Sequence, residues 1–238
     1  MARPEPRLSY PAPAFDVAPY RLSGRVYGAL LNHRGALEAL GDAVHQGPYK
    51  APPRAPVLYI KPRNTLASPG DAVVVPAESG ELEIGATLGI VIGRSACRVA
   101  ESEAMDFVAG YVIVADCSLP HDSYFRPAIR FKARDASCAI GPAVVARADV
   151  AHPDTLGVRI LVDGRPVHSA STGGTVRGVA RLLSDVSEFM TLAPGDVLLA
   201  GVAPGSPRVR AGASLAIEID GLGRLETRVV AAAEGPGR

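Results

Sequence analysis

Short apolar segments separated by turn signals run through this chain from Arg25 onward. The separators are Pro-Gly, Gly-Asp and Asp-Gly pairs, whose residues adopt the backbone angles of tight turns. Between the separators lie compact apolar runs of strand length. These runs are Arg25–Leu30, Val57–Ile60, Ala72–Val75, Thr87–Ile92, Gly110–Ala115 and Val197–Ala200. The pattern predicts an α+β protein that is mainly sheet.

Two pairs of segments are predicted to form hairpins. Asp163-Gly164 separates Val158–Val162 from Arg165–Ser169, and both residues of this two-residue loop tolerate the positive φ angles of a type I′ turn. Near the end of the chain, Ser214–Ile219 and Arg224–Val230 flank a glycine-rich turn and are expected to form a closing hairpin.

A few short helices and a tail complete the expected organisation. Apolar residues at helical spacing mark Gly35–Val44 and Val179–Met190, and the second segment is expected to cross the sheet. The opening of the chain is rich in Pro and Ala, which is typical of an extended, mobile segment. The predicted divisions are a flexible tail over residues 1–22, a small lobe of one strand and one helix over 23–56, and a rolled sheet over 57–238.

Composition argues against several classes of partner. Hydrophobic residues make up 47% of the 238 residues and charged residues 21%, and no apolar run approaches the roughly 18 residues needed to cross a bilayer. Lys and Arg number 25 against 24 Asp and Glu, so no basic excess favours nucleic acid. Three scattered cysteines and the lack of a signal-peptide pattern favour the reducing cytoplasm. We therefore expect neither a membrane nor a nucleic acid as partner.

Several motifs, taken in order, point to one family. They are Tyr59–Leu66, Val91-Ile92-Gly93, Ala109-Gly110-Tyr111 with Asp116, Leu192–Val197 and Gly221-Leu222-Gly223. With this ordered set the chain resembles the fumarylacetoacetate hydrolase superfamily from about Gly24 to Val230. Further motifs resemble the amino-terminal repeat of the two-repeat isomerase/decarboxylases of 4-hydroxyphenylacetate (homoprotocatechuate) breakdown. These are Leu31–Arg34, Gly47–Pro53, Lys61–Thr65, Ser118–Pro120 and Phe125–Ile129.

The resemblance implies a rolled, mixed β-sheet whose mouth holds a divalent cation, Mg²⁺ or Mn²⁺. In active relatives a Glu-x-Glu pair on the strand that ends in Val-Ile-Gly, and the Asp after Gly-Tyr, hold the ion, which binds a 2-oxo acid and stabilises its enolate. Here the two glutamate positions are Gly85 and Thr87, and Asp116 alone remains. Because Mg²⁺ is costly to dehydrate, we expect metal binding in this chain to be weak or absent.

Nearby side chains offer substitutes for the missing groups. The pair Glu81-x-Glu83 has the correct spacing, which puts both side chains on one side of a strand. It lies four residues too early, however, which is roughly 13 Å along a strand. Two solvated acids in a loop are therefore the simpler interpretation. A cluster of Asp116, His121 and Asp122 is a second candidate metal site. Cys117 has no histidine at a recognisable spacing and is interpreted as a structural thiol rather than a nucleophile.

Proton-transfer groups of the family are also replaced. In active relatives a His and a Glu after the first-strand Asn form an acid/base dyad, and counting from Asn32 these positions are Ala36 and Ala39. His33 and Glu38 are the candidates that lie near them, although a solvent-facing helix explains both residues more simply.

Basic and polar side chains remain for binding a dianionic oxo acid. They are Lys61, Arg126, Lys132, Asn32 and Tyr124. Arginine grips a carboxylate through two hydrogen bonds, and lysine adds a compact charge. The alternative is that Lys61 and Lys132 pair with Asp116 or Asp135 and neutralise a vestigial site. The threonine hydroxyls that contact substrate in relatives are missing from Ala200–Gly205.

Three functional hypotheses follow from the resemblance. The leading one is a subunit of a 2-hydroxyhepta-2,4-diene-1,7-dioate isomerase/5-oxopent-3-ene-1,2,5-tricarboxylate decarboxylase whose own metal site is impaired, assembled as a homodimer or with a carboxy-terminal-type subunit that keeps the carboxylates. The second is an independent Mg²⁺-dependent oxo-acid isomerase or hydrolase with relocated ligands. The third is a non-catalytic oxo-acid-binding or scaffold subunit.

Overall fold

Within residues 15–121 and 129–232, which the computed structural model describes, the strands form two large sheets and one small hairpin. The strands are β1 (Phe15–Val17), β2 (Tyr20–Leu22), β3 (Val26–Leu30), β4 (Val57–Lys61), β5 (Leu66–Ala67), β6 (Ala72–Val75), β7 (Leu82–Ile92), β8 (Val108–Ser118), β9 (Cys138–Ala146), β10 (Gly157–Val162), β11 (Arg165–Ser171), β12 (Val197–Leu199), β13 (Arg208–Val209), β14 (Ser214–Ile219) and β15 (Gly223–Ala231). The α-helices are α1 (Arg34–Leu40), α2 (Ile129–Lys132) and α3 (Val179–Ser187). 3-10 helices lie at Gly41–His45, Arg63–Thr65, Glu101–Phe107, Arg147–Asp149, Pro153–Thr155 and Thr172–Gly174.

The sheet order mixes parallel and antiparallel neighbours. The larger sheet runs β4-β3-β12-β7-β8-β9-β5, with β13 paired to β7, and the smaller runs β11-β10-β14-β15-β6. Parallel pairing joins β12 to β3, β15 to β6 and β5 to β9. This arrangement confirms the predicted mixed, curled sheet with few helices.

Both predicted hairpins are present. β10 and β11 pair antiparallel up to Val162 and Arg165, and the two loop residues have positive φ angles of 51° at Asp163 and 75° at Gly164. The Asp163 carboxylate accepts a hydrogen bond from the Ser214 backbone N–H at 2.8 Å, which ties this turn to β14. The closing hairpin of β14 and β15 spans almost the predicted residues.

Two predicted boundaries differ from the structure. Residues 15–22, assigned to the tail, form the β1–β2 hairpin, because Val17 and Leu22 are buried and the Ala18 carbonyl accepts a hydrogen bond from the Val144 N–H at 2.8 Å. Residues 1–14 lie outside the described part. The small lobe over 23–56 is not separate from the sheet, because its strand β3 lies between β4 and β12.

Two further segments, β7 and α3, differ in length from the sequence predictions. β7 begins at Leu82 rather than at Thr87, because its first residues pair with β13 and with the end of β8. Glu83 is therefore a strand residue. The simpler interpretation, which placed Glu83 in a loop, is wrong for this residue. α3 ends at Ser187 and buries its apolar face against the core. In the described residues, no helix has the length and apolar character to span a membrane.

The two faces of the larger sheet carry different side chains. On β8, Ile113 and Cys117 point into the main core, whereas Val112, Val114 and Asp116 point to the other face, as the alternation of a strand requires. Burial of each large apolar side chain contributes about 1.5–3 kcal/mol. The same alternation places Asp116 beside Gly85, its partner on β7, near one end of the sheet.

Candidate functional site

The carboxylate of Asp116 is the centre of a buried polar cluster. Its Oδ1 lies 2.9 Å from the Lys61 Nζ, and its Oδ2 lies 3.2 Å from the Lys132 Nζ. The Tyr59 hydroxyl donates a short hydrogen bond to the same Oδ2. Asp116 is 1% exposed, so these three groups take the place of water around its charge. A buried carboxylate needs such partners, since desolvation of an unpaired charge is costly.

Lys61 lies beneath Asp116 and joins several elements. Its ammonium donates to the carbonyls of Cys117 and Lys132, both at 2.7 Å, and to the Ser137 Oγ at 3.2 Å. The side chain is fully buried and is not among the residues that line the adjoining cavity. This placement supports the alternative in which Lys61 neutralises Asp116, and not the predicted contact with substrate.

Lys132 differs from Lys61 because it reaches the cavity. It belongs to α2, is 7% exposed, and packs its ammonium 4.5 Å from the centre of the Tyr59 ring. An ammonium attracted to the face of an aromatic ring is a cation–π contact. Lys132 therefore forms part of both the Asp116 cluster and the cavity lining.

The charges of the cluster do not cancel. Burial raises the pKa of Asp116, but the ammonium groups of Lys132 and Lys61 and the Tyr59 hydroxyl lower it more strongly, so the net pKa lies well below its usual value. Burial and the Asp116 charge both raise the pKa of Tyr59 well above its usual value. Asp116 thus remains ionised between two ammonium groups, and the cluster keeps one excess positive charge.

A cavity of about 420 Å³ opens over this cluster. Its apolar lining comes from the end of β3, from α1 and from the segment after β12, and includes Ala29, Leu30, Leu31, Ala36, Ala39, Leu40, Val202, Ala203 and Pro204. Its polar lining includes Tyr59, Glu83, Asp116, Ser118, His121, Lys132 and Arg208. The two alanines that replace the family's dyad therefore face the same space as Asp116, where they add apolar surface and no proton-transfer group.

The residues at the expected metal position do not fit a divalent cation. A Cβ atom built on Gly85 lies 2.8 Å from the Asp116 carbonyl oxygen and 2.9 Å from the Val202 Cγ2, so a longer side chain has no room there. The Thr87 Oγ1 is occupied by the backbone of Gly201, which it contacts at 2.9 and 3.1 Å. Across residues 15–121 and 129–232, no group of three His, Cys, Asp or Glu side chains is arranged to hold a metal ion.

The substitute acids lie apart from each other. Glu83 lines the cavity on the same strand face as Gly85, whereas the Glu81 carboxylate pairs with Arg208 at 3.3 Å. His121 contacts the Leu119 carbonyl at 2.9 Å through its Nδ1 and stacks on Phe131. Asp122, the third member of the proposed cluster, lies outside the described residues.

Other predicted site residues have structural partners. The Asn32 side-chain amide donates to the carbonyls of Arg177 and Ala200, at 3.0 and 2.7 Å, and its carbonyl oxygen accepts from the Arg177 N–H at 3.1 Å. His33 caps α1 by accepting from the Gly35 N–H, and Glu38 is exposed on that helix. None of the three residues lines the Asp116 cavity.

Two predicted substrate contacts, Tyr124 and Arg126, lie outside the described residues. Asp135, the alternative lysine partner, instead accepts from the Asn64 amide at 2.6 Å. The role of Lys132 in substrate binding stays a prediction, and so does that of Arg126.

Sequence reasoning missed Tyr59 and Arg208. Tyr59 stands two residues before Lys61, and alternation along a strand puts both side chains on one face, so the family motif contained a usable signal. Arg208 reaches the cavity through the pairing of β13 with β7, which is a long-range contact with no local signal.

Cys117 points away from the cavity. It faces the main core, and burial raises the pKa of its thiol to about 12. A thiol with such a pKa is a poor nucleophile at neutral pH, which agrees with the structural interpretation.

Comparisons with known proteins give the relatives of this chain. The family model described as "Fumarylacetoacetate (FAA) hydrolase C-terminal" matches residues 25–230. The 4-hydroxyphenylacetate degradation bifunctional isomerase/decarboxylase of Escherichia coli is 38% identical over 209 residues, which are 88% of this chain and 48% of that protein. The chain thus spans about half the length of this relative.

Solved structures show the same fold. The 5-carboxymethyl-2-hydroxymuconate delta-isomerase of Mycobacterium smegmatis superposes with a TM-score of 0.76 and 28% identity, covering 90% of this chain and 81% of that one. Fumarylpyruvate hydrolase of Pseudomonas aeruginosa, solved with Mn²⁺ and pyruvate, gives a TM-score of 0.77 and 25% identity, covering 90% and 91%.

Proposed function

The chain belongs to the fumarylacetoacetate hydrolase family, and on this premise we propose that it is a subunit of a cytoplasmic isomerase/decarboxylase of 4-hydroxyphenylacetate breakdown that does not bind the catalytic metal itself. The reaction class is that of a 2-hydroxyhepta-2,4-diene-1,7-dioate isomerase and 5-oxopent-3-ene-1,2,5-tricarboxylate decarboxylase. Its partner is a second copy or a carboxy-terminal-type subunit that keeps the metal-binding carboxylates.

One observation carries this proposal: two lysine ammonium groups contact the single carboxylate that remains at the expected metal position. Each ammonium supplies a positive charge at the position where the family resemblance places the cation. A divalent ion at Asp116 would meet repulsion from both, and Gly85 and Thr87 offer no further anion. We therefore assign this chain to assembly and stability of the enzyme, with metal-dependent chemistry in the partner.

Co-expression tests this proposal. The chain is produced with and without a tagged carboxy-terminal-type subunit, and association and turnover of the dienedioate are measured. We expect the two chains to co-purify and the partner's turnover to increase or its unfolding temperature to rise. Two chains that never associate, with turnover unaffected by this one, would contradict the proposal.

A matched variant separates a structural role from a catalytic one. Lys132→Met removes the cluster group that faces the cavity but leaves Lys61 paired with Asp116. If this chain contributes only assembly, K132M leaves the stimulated turnover unchanged. A large loss in kcat with association intact would show that this cavity takes part in the reaction.

A second candidate function rests on Glu83. This carboxylate lines the same cavity as Asp116, so an independent metal-dependent oxo-acid isomerase or hydrolase with relocated ligands has one new ligand in place. It predicts saturable binding of Mn²⁺ by the purified chain, weakened by Glu83→Gln. Absence of any Mn²⁺-dependent shift in unfolding temperature removes this candidate.

A further inference from the structure

The Lys132 ammonium borders the cavity. An ammonium has three N–H donors. Within the described part of the chain, this one donates to Asp116 and contacts the Tyr59 ring, and its side chain is 8% exposed. Lys61 holds the opposite oxygen of Asp116, so the carboxylate does not fully cancel the charge of Lys132. This end of the cavity therefore favours an anion.

A second charged group lies farther along the same strand face. Glu83 precedes Gly85 by two residues, which places their Cα atoms roughly 7 Å apart, and Gly85 is paired directly with Asp116. Among the residues that the structure describes, the Glu83 carboxylate has no hydrogen bond or ion pair, although it is half-buried in the cavity lining. An acceptor in this position favours a ligand with a hydrogen-bond donor at the end remote from its anion.

Between these two polar ends the cavity offers apolar surface. Leu30, Leu31, Ala36 and Leu40 line it, and the small side chain at Ala36 leaves width for a flat group. The volume of about 420 Å³ lies within the range of sites that bind small molecules.

From these features we propose that the cavity binds a small carboxylic acid with an aromatic or similarly flat apolar body and a hydroxyl group at its far end. The carboxylate pairs with the Lys132 ammonium, the body packs on the α1 side of the cavity, and the hydroxyl donates to Glu83. The inference rests on the metal-free cavity of the proposed function. It differs from that function in the ligand, which is a hydroxylated monocarboxylate and not a metal-chelating oxo diacid.

Titration calorimetry on the full chain without its partner tests the three contacts. The probes are 4-hydroxyphenylacetate, phenylacetate, which lacks the hydroxyl, and 4-hydroxyphenylethanol, which lacks the carboxylate. We expect 4-hydroxyphenylacetate to bind roughly tenfold more tightly than phenylacetate, because a hydrogen bond to a charged group has about this effect. The alcohol is expected not to bind.

Three variants and one control variant assign the contacts. Lys132→Met should abolish binding of both acids, whereas Lys50→Met, which removes the same charge from an exposed position outside the cavity, should not. Glu83→Leu should preserve phenylacetate binding and remove the advantage of the hydroxylated acid. Ala36→Phe should weaken both acids by filling the cavity.

The outcomes that overturn the proposal are distinct. Acid binding that survives K132M, or an absence of saturable binding by either acid, contradicts the carboxylate site. If E83L still binds 4-hydroxyphenylacetate more tightly than phenylacetate, the role of Glu83 is contradicted. The ratio of these two affinities remains informative if K132M does not fold. A chain that associates with its partner but binds neither acid refutes only this inference, and a chain that binds acid without associating refutes only the proposed function.

Discussion

The Lys61 ammonium lies 2.9 Å from the Oδ1 of Asp116, and both side chains are completely buried. Lys61 comes from β4 and Asp116 from β8, two strands that are not neighbours in the sheet. The same ammonium bonds two carbonyls that flank the cavity floor. The ion pair therefore holds together the elements from which the candidate site is built.

Removal of Lys61 should destabilise the protein strongly. Lys61→Met leaves the Cys117 and Lys132 carbonyls without their donor and Asp116 with less compensation, and loss of one member of a buried pair typically costs about 3–5 kcal/mol. The free energy of unfolding, measured with urea, checks this. The double variant K61M/D116N should recover part of the loss, since it removes both charges. A cost for K61M below about 1 kcal/mol, the range of ordinary surface changes, would contradict the described geometry.

The stability should depend on pH through Asp116. Its pKa is lowered in the folded state, so the folded protein binds its proton less readily than the unfolded chain. The stabilisation is complete above the unfolded value of about 3.9 and is lost as the pH falls towards the lower folded value. Urea unfolding from about pH 7 to about pH 3 should show this decline, and K61M/D116N should show a smaller decline. Parallel pH profiles for the two proteins would exclude Asp116 as the source.

The three cysteines should differ sharply in reactivity. Cys97 is exposed, whereas Cys117 and Cys138 are buried, and burial raises the pKa of each buried thiol to about 12. A thiol reagent at mildly alkaline pH should modify Cys97 in the native protein and all three residues in urea. Cys97→Ser should remove the native reaction. Rapid labelling of Cys117 without denaturant would show that the β8 region opens readily.

A side chain at position 28 should destabilise the protein, because the Tyr59 ring lies against Gly28. Gly28 and Tyr59 are paired on β3 and β4, and a Cβ built on Gly28 overlaps the tyrosine ring. Gly28→Ala should cost about 1–3 kcal/mol, as overpacking usually does, and should displace the hydroxyl from Asp116. In a Tyr59→Ala background the same change should cost much less. Equal costs in the two backgrounds would show that the ring moves aside freely.

Local signals were enough to predict much of the fold. Asp163-Gly164 specifies its hairpin because both residues accept positive φ, and the structure has that turn. The family motifs also singled out Gly85 and Asp116, which the structure pairs across β7 and β8. These features depend on residues close in sequence or on an ordered set of motifs.

Features that depend on distant pairing were not predicted. Glu83 follows a Ser-Gly turn signal that favours a loop, yet its pairing with Arg208 on β13 and Ser118 on β8 makes it a strand residue. The hairpin at residues 15–22 was predicted as part of the Pro-rich opening of the chain, but Val17 and Leu22 pack against the sheet and hold it there. In both cases tertiary contacts override the local preference.

The close approach of Gly85 to the Asp116 carbonyl and to Val202 also limits how this protein can change. A glutamate introduced at that position by a single codon change would collide with main chain before its carboxylate reached Asp116. Three carboxylates around Asp116 would therefore need coordinated changes at Gly85, Thr87 and Val202, and no single substitution supplies them.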